Sequence, residues 1–260
     1  MLEPATGGCR AEIEAASDAS GLPGYDTLNR AWLASTLLLL RGFTGHLAVA
    51  CSAYSWDVIA GHSKRTAPEF KVQLASEGLA AAVHRSKRAL PPFKGQILDF
   101  HVKFLITRTS REDAVQEVDA DWVRQHFDVA NRLAAESVPF KFALEALFDW
   151  RFSPEPRSAV ARLWSGIEAI FGIESELTYR IALLCANLLE EPGRSRKERF
   201  QAVKKLYNLR SKVVHGADLP VEKLVAARDD SFALLCALLT LSLQRGHALG
   251  ESDFDAALFG

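Results

Sequence analysis

The strongest constraint on the fold is a helical apolar pattern that repeats through the C-terminal part of the chain. After Pro154 and Pro156, apolar residues recur at helical spacing in four successive segments. These segments are Ser158–Phe171, Glu174–Leu189, the stretch between Pro192-Gly193 and Gly216, and Pro220–Leu243. Consecutive helices with short joints favour an up-and-down bundle. The sequence therefore predicts a mainly α fold with a four-helix bundle within residues 154–260.

The boundaries of the third helix have recognisable signals. Ser195 and Glu198 have the S-x-x-E spacing of a capping box, which predicts the beginning of a helix there. Gly216 is a suitable C-terminal stop, because glycine adopts the left-handed backbone conformation that ends many helices.

The region before Ser153 has a less regular pattern. Residues 1–24 are rich in Ala, Gly and Ser, and we expect a disordered lead-in there. Residues 25–153 form an N-terminal region of unknown role. Within it the patterns predict helices at Tyr25–Leu40, Glu69–Leu90, Asp119–Ala135 and Val138–Phe152. Residues 96–107 favour a strand, and residues 46–59 fit either a strand or a buried helix, so the region is expected to include a short β-hairpin or strand pair.

Composition excludes several classes of protein. The chain is 48% hydrophobic and 24% charged, which is typical of a globular protein, and its net charge of -1 gives no overall preference for nucleic acid. Its apolar runs are shorter than the roughly 20 residues that span a bilayer, so no membrane association is expected. The cysteines have no metal-ligand spacing, which predicts reduced thiols in a cytoplasmic protein with no metal or cofactor; they are Cys9, Cys51, Cys185 and Cys236.

Three segments in the bundle region resemble the Apea-like HEPN family. The most informative is LYNLRSKVVHG, Leu206–Gly216, in which Arg210 and His215 form an R-x4-H motif. It is preceded by SELTYRIALLCANLL and, earlier, by LWSGIEAIFG, which places Glu168 among apolar residues. The resemblance covers roughly Ser158–Gly250 and depends on the order and spacing of all three segments.

The resemblance implies a metal-independent endoribonuclease with a toxin or phage-defence role. In that activity His215 would transfer protons and Arg210 would bind phosphoryl oxygens, while Ser211 and Glu168 would support the pair. Residues five apart on a helix lie about 140° apart, so one helix is unsuited to form the whole site. The family forms homodimers in which two motifs face each other, and we expect a homodimer here.

Basic residues crowd the motif segment and are candidates for binding RNA. They are Arg194, Arg196, Lys197, Arg199, Lys204, Lys205 and Lys212. A helix face exposed to solvent would also be rich in basic residues, whether or not the protein binds RNA. Likewise, His215 could serve only as the C-cap of its helix, and Arg210 could serve only to tie helices together. The alternative function is therefore a catalytically silent scaffold that dimerises and binds RNA, or a protein partner through its N-terminal region.

Overall fold

The computed structural model describes residues 25–45, 50–52, 95–97, 115–153, 155–173 and 176–259. Eight α-helices and two short strands lie in these ranges. In chain order they are α1 (Tyr25–Leu40), β1 (Ala50–Ser52), β2 (Gly95–Ile97), α2 (Glu117–Glu136), α3 (Val138–Asp149), α4 (Pro156–Phe171), α5 (Leu177–Leu189), α6 (Arg194–Val214), α7 (Val221–Arg245) and α8 (Glu251–Phe259). The prediction of a mainly α fold is confirmed for this part of the chain. The expected disordered lead-in at 1–24 and the expected helix at Glu69–Leu90 lie outside the described residues.

The two strands form one small antiparallel pair. Cys51 of β1 lies opposite Gln96 of β2. A long stretch of chain separates the strands, so a tight turn does not join them. Strand β1 lies inside the ambiguous 46–59 segment, and β2 overlaps the beginning of the 96–107 segment.

The described residues belong to two compact units. One unit contains residues 25–31 and the two strands, and the other contains residues 32–45 and everything described from 115 onward. This grouping differs from the boundary expected near Ser153. Helix α3 packs against α4 and α7, and its buried Leu144 and Leu147 belong to the same core as the later helices. Pro156 begins α4, and the packed unit continues from α3 into α4.

Helix α4 occupies the centre of the second unit and packs against α3, α6 and α7. Its fully buried face follows helical spacing, with Val160, Leu163, Trp164 and Ile167 all at 0% exposure. Burial of each such side chain stabilises the fold by roughly 1.5–3 kcal/mol. The absence of a side chain at Gly166 lets α3 approach closely, because an added Cβ there would lie 2.7 Å from the Ala146 Cβ.

The ends of α6 are formed by glycines. Gly193, at φ 141°, is the N-cap, and no side chain caps the helix. The capping-box prediction is therefore wrong, because the helix begins before Ser195, and Glu198 instead pairs with Arg194. At the other end, Gly216 has φ 76°, and the N–H groups of Gly216 and Ala217 donate to carbonyls in the last turn. The predicted glycine stop is confirmed as a Schellman motif.

Asp253 organises the beginning of α8. Its carboxylate accepts hydrogen bonds from the Gly250 N–H at 3.0 Å and from Arg245 at 2.5 Å, and it lies 2.9 Å from His247 Nε2. Burial of Asp253 acts to raise its pKa, but the bonds from His247, Gly250 and Arg245 outweigh it and lower the pKa below the ordinary value.

Among the described residues, none of the helices has the length and apolar content needed to cross a membrane.

Candidate functional site

An ion pair joins two of the segments that resemble the HEPN family. Arg210 of α6 donates from Nη2 to Oε2 of Glu168 on α4, over 2.7 Å. The two side chains are 22% and 23% exposed, respectively. Of the two motif residues, Arg210 is therefore the one that Glu168 contacts. A charge-assisted bond at a partly buried site is stronger than a pair in open solvent.

Tyr207 and Trp164 form the apolar side of this ion pair. The Tyr207 ring meets Trp164 edge to face, with centroids 5.1 Å apart at 89°, and the Arg210 guanidinium lies 5.5 Å from the Tyr207 centroid. Burial and then the charge of Glu168 raise the pKa of the Tyr207 hydroxyl, while Arg210 opposes the shift. Tyr207 therefore stays a neutral phenol at physiological pH. Tyr207 and Trp164 are both buried in the core.

Three buried polar atoms in this cluster have no hydrogen-bond partner within the described ranges. They are Trp164 Nε1, Glu168 Oε1 and Arg210 Nε. Buried polar groups in proteins are normally satisfied by protein or by ordered water. The cluster therefore has unused hydrogen-bonding capacity, with two donors and one acceptor, beside the Arg210–Glu168 bond.

His215 lies outside this cluster. It is the C-cap of α6, exposed, and its imidazole forms no hydrogen bond with any described residue. Helical geometry separates it from Arg210 by about 140° around the axis. One chain therefore presents Arg210 toward α4 and His215 toward solvent. Among the described residues no hydrogen bond joins Ser211 to Arg210, which donates to Glu168 instead.

Arg157 is a residue at this site that the sequence did not identify. It follows Pro156 in the first turn of α4, and its guanidinium donates to the carbonyls of Val213 and Ala217, which flank His215. It therefore fixes the end of α6 that presents His215. A contact between residues this distant in sequence leaves no local signal in the chain.

The structure separates the basic residues into two groups. Arg194 pairs with Glu198, Arg199 pairs with Glu190, and Arg196 donates to the Glu190 carbonyl. Lys197, Lys205 and Lys212 are exposed and form no ion pair with the described part of the chain. Lys204 lies with its Nζ 5.8 Å from the Phe200 ring centroid. Arg196 and Arg199 therefore link α6 to the end of α5, whereas the Arg194 pair lies within α6. Of the basic run, the lysines are the cations left for an external anion.

A shallow groove of about 700 Å³ lies along α6 beside α7. Its walls combine three cations and two carboxylates with a floor of apolar side chains, and its lining residues are Arg194, Lys197, Glu198, Gln201, Ala202, Lys205, Leu206, Leu209 and Asp230. Because the charges of both signs are mixed, the groove has no strong preference for an anion.

No group of three or more His, Cys, Asp or Glu side chains in the described ranges is arranged to hold a metal ion. Comparison with known proteins identifies no relative. No protein-family model matches the chain, and neither the curated proteins nor the solved structures include a significant match to it.

Proposed function

We propose that this protein is a HEPN-type endoribonuclease that cleaves RNA without a metal ion. In this proposal α4 to α7 form the four-helix HEPN bundle, and the protein works in the cytoplasm as a homodimer with a toxin or phage-defence role. The observation that supports it is the Arg210–Glu168 ion pair, which links two segments of family-like sequence that are distant in the chain.

The reaction is a transesterification within the RNA. The 2′-oxygen attacks the adjacent phosphorus, the bond from phosphorus to the 5′-oxygen breaks, and the products are a 2′,3′-cyclic phosphate and a 5′-hydroxyl. One proton leaves the 2′-hydroxyl and one is delivered to the 5′-oxygen. His215 suits this transfer, because it is exposed and an imidazole exchanges protons near neutral pH.

Arg210 suits the binding of the phosphoryl oxygens. Its planar fork matches two phosphate oxygens, and Glu168 holds the guanidinium in a defined orientation beside Tyr207. In this proposal Glu168 is a positioning residue that holds Arg210 in the free protein, and the phosphate of the bound RNA displaces its carboxylate. Since Arg210 and His215 point to different sides of α6, a second copy of the chain completes the site, with Arg210 from one protomer and His215 from its partner.

A scaffold function is the second candidate, and one observation favours it. Glu168 already neutralises Arg210, and Arg210 Nε is buried. An arginine engaged in this way fits a role in joining α4 to α6. A catalytically silent protein would use the same helices for dimerisation and for binding RNA or another protein.

The deciding experiment is incubation of the purified protein with mixed RNA in excess EDTA. We expect cleavage that leaves cyclic-phosphate ends. The His215→Ala variant should lose about 10²–10⁴-fold of the rate. His247→Ala is the matched control, since His247 is also exposed but contacts Asp253 at the beginning of α8. Cleavage by the wild type that His215→Ala retains, or no cleavage by any of the three proteins, contradicts the proposal and favours the scaffold.

A further inference from the structure

We infer that the side of α6 leading to His215 binds single-stranded RNA, and that Tyr179 of α5 stacks on one of its bases. The inference rests on the proposed function and names its substrate class. Its starting observation is an aromatic side chain in solvent, since Tyr179 is 53% exposed.

Tyr179 is held in place by Phe200 of α6. The two rings meet edge to face, with centroids 5.5 Å apart and planes at 75°. In such an arrangement at least one flat face of Tyr179 is out of contact with Phe200. A base that stacks there meets a ring that already packs against Phe200, which reduces the conformational entropy lost on binding.

Lys204 supplies a cation at the same place. Its ammonium lies 5.8 Å from the centroid of Phe200, and no carboxylate in the described ranges pairs with it. A nucleotide stacked on Tyr179 brings its phosphate within reach of this charge. An aromatic platform beside an uncommitted cation is the combination that binds single-stranded nucleic acid with little preference for sequence.

The platform lies on the same side of α6 as the motif histidine. Steps of three and four residues keep side chains on one side of a helix. Such steps connect Phe200, Lys204, Asn208, Ser211 and His215. Asn208 and His215 are exposed, and Ser211 is half-buried. At 1.5 Å per residue, Lys204 and His215 are separated by about 16 Å along the axis, which a few nucleotides can cover.

The same geometry selects against duplex RNA. Bases in a duplex are stacked on each other and offer no free face to a side chain, whereas unpaired bases do. Tyr179 therefore favours RNA that is unpaired a few nucleotides away from the phosphodiester bond that is cleaved at His215.

The test is equilibrium binding of the full chain at low salt, measured by fluorescence anisotropy. The probe is a fluorescein-labelled mixed-sequence RNA with 2′-O-methyl groups throughout, used as a single strand and as a duplex. We expect Tyr179→Leu to weaken binding of the single strand about tenfold and to leave duplex binding unchanged. Tyr179→Phe keeps the ring and should bind within about twofold of the wild type.

Two further variants separate stacking from other effects. Phe259→Leu removes an aromatic side chain that is 84% exposed on α8, and it should not change the affinity. In a plot of the logarithm of the binding constant against the logarithm of the salt concentration, Lys204→Gln should reduce the steepness of the slope by about 0.7.

The inference is overturned if the wild type fails to bind the single strand, if Tyr179→Leu binds as the wild type does, or if duplex binding falls equally. Because the methylated strand lacks the attacking hydroxyl, its binding does not depend on cleavage. Binding that follows the expected pattern, combined with intact unmodified RNA, would reject the nuclease and keep the stacking site.

Discussion

Arg157, in the first turn of α4, donates a 2.7 Å hydrogen bond to the carbonyl oxygen of Val213 in the last turn of α6. Its second terminal nitrogen donates to Ala217 at 2.8 Å. The last carbonyls of a helix lack intrahelical partners and concentrate partial negative charge. One guanidinium therefore adds a charged donor to the Val213 carbonyl in the last turn and binds the Ala217 carbonyl just beyond the helix, which ties the end of α6 to α4.

Replacement of Arg157 by Ala should lower the free energy of unfolding by about 1.5–3 kcal/mol, because two carbonyls lose a charged donor. Arg157→Lys should recover only part of the loss, since an ammonium cannot reproduce the planar fork. Urea titrations measure both. Arg124→Ala is the control, because Arg124 forms only exposed ion pairs on α2 and should leave stability unchanged. Equal stability of the Arg157 and Arg124 variants would contradict the capping role.

Gly166→Ala should destabilise the protein, although alanine is the better helix former. The new Cβ would lie 2.7 Å from the Ala146 Cβ and 3.3 Å from the Ala143 Cα, so α3 and α4 must separate. Overpacking of this kind costs about 1–3 kcal/mol, against a gain of about 1 kcal/mol from helix propensity. Thermal unfolding measures the net change. Gly250→Ala, where the nearest atom is 4.0 Å away, should be tolerated, and a similar loss there would reject the packing argument.

Asp253→Asn should lower stability at pH 7 by about 1 kcal/mol, because the negative charge at the beginning of α8 is lost. The pKa of Asp253 is lower in the folded chain than its ordinary value of 3.8. Its contribution is therefore fully present above pH 3.8 and is lost as the pH falls through the lower folded value. The difference between the two proteins should shrink below pH 3.8 in urea titrations at several pH values. A difference that persists in strong acid would contradict this linkage.

Cys185 should resist thiol reagents until the protein unfolds. It is buried in α5, and burial raises the pKa of its thiol, which removes the reactive thiolate. Cys236 of α7 is only partly buried and should react before Cys185. Alkylation followed by peptide mass spectrometry, with and without urea, measures both rates. Rapid labelling of Cys185 in the native protein would show that the α5–α6 pair opens readily.

Strong apolar periodicity made most helices predictable. The expected helix at Tyr25–Leu40 is observed with the same ends, and the segment expected at Ser158–Phe171 is observed as Pro156–Phe171. In α4 a continuous buried face determines the pattern in the sequence, and in α1 most of the side chains from Leu33 to Leu39 are buried. The S-x-x-E signal at Ser195 failed because a glycine with positive φ begins α6 earlier, and backbone conformation at a glycine is not visible in such a pattern.

Charge partners were the least predictable feature of the candidate site. The run of basic residues from Arg194 was visible in the sequence, but the partner of Arg196 and Arg199 is Glu190, which the α5–α6 turn brings near. The contact from Arg157 to the end of α6 joins residues far apart in the sequence, and it too depends on tertiary packing.

The ion pair between Arg210 and Glu168 makes anion binding at Arg210 an exchange reaction. An incoming anion competes with an intramolecular counter-ion whose effective concentration is high and does not dilute, so weak or singly charged anions are rejected. A ligand displaces the carboxylate only if other contacts supply enough additional binding free energy. Selectivity at this arginine would then be decided elsewhere on the protein surface, and Glu168 would determine how much of that surface a ligand must contact before Arg210 is released.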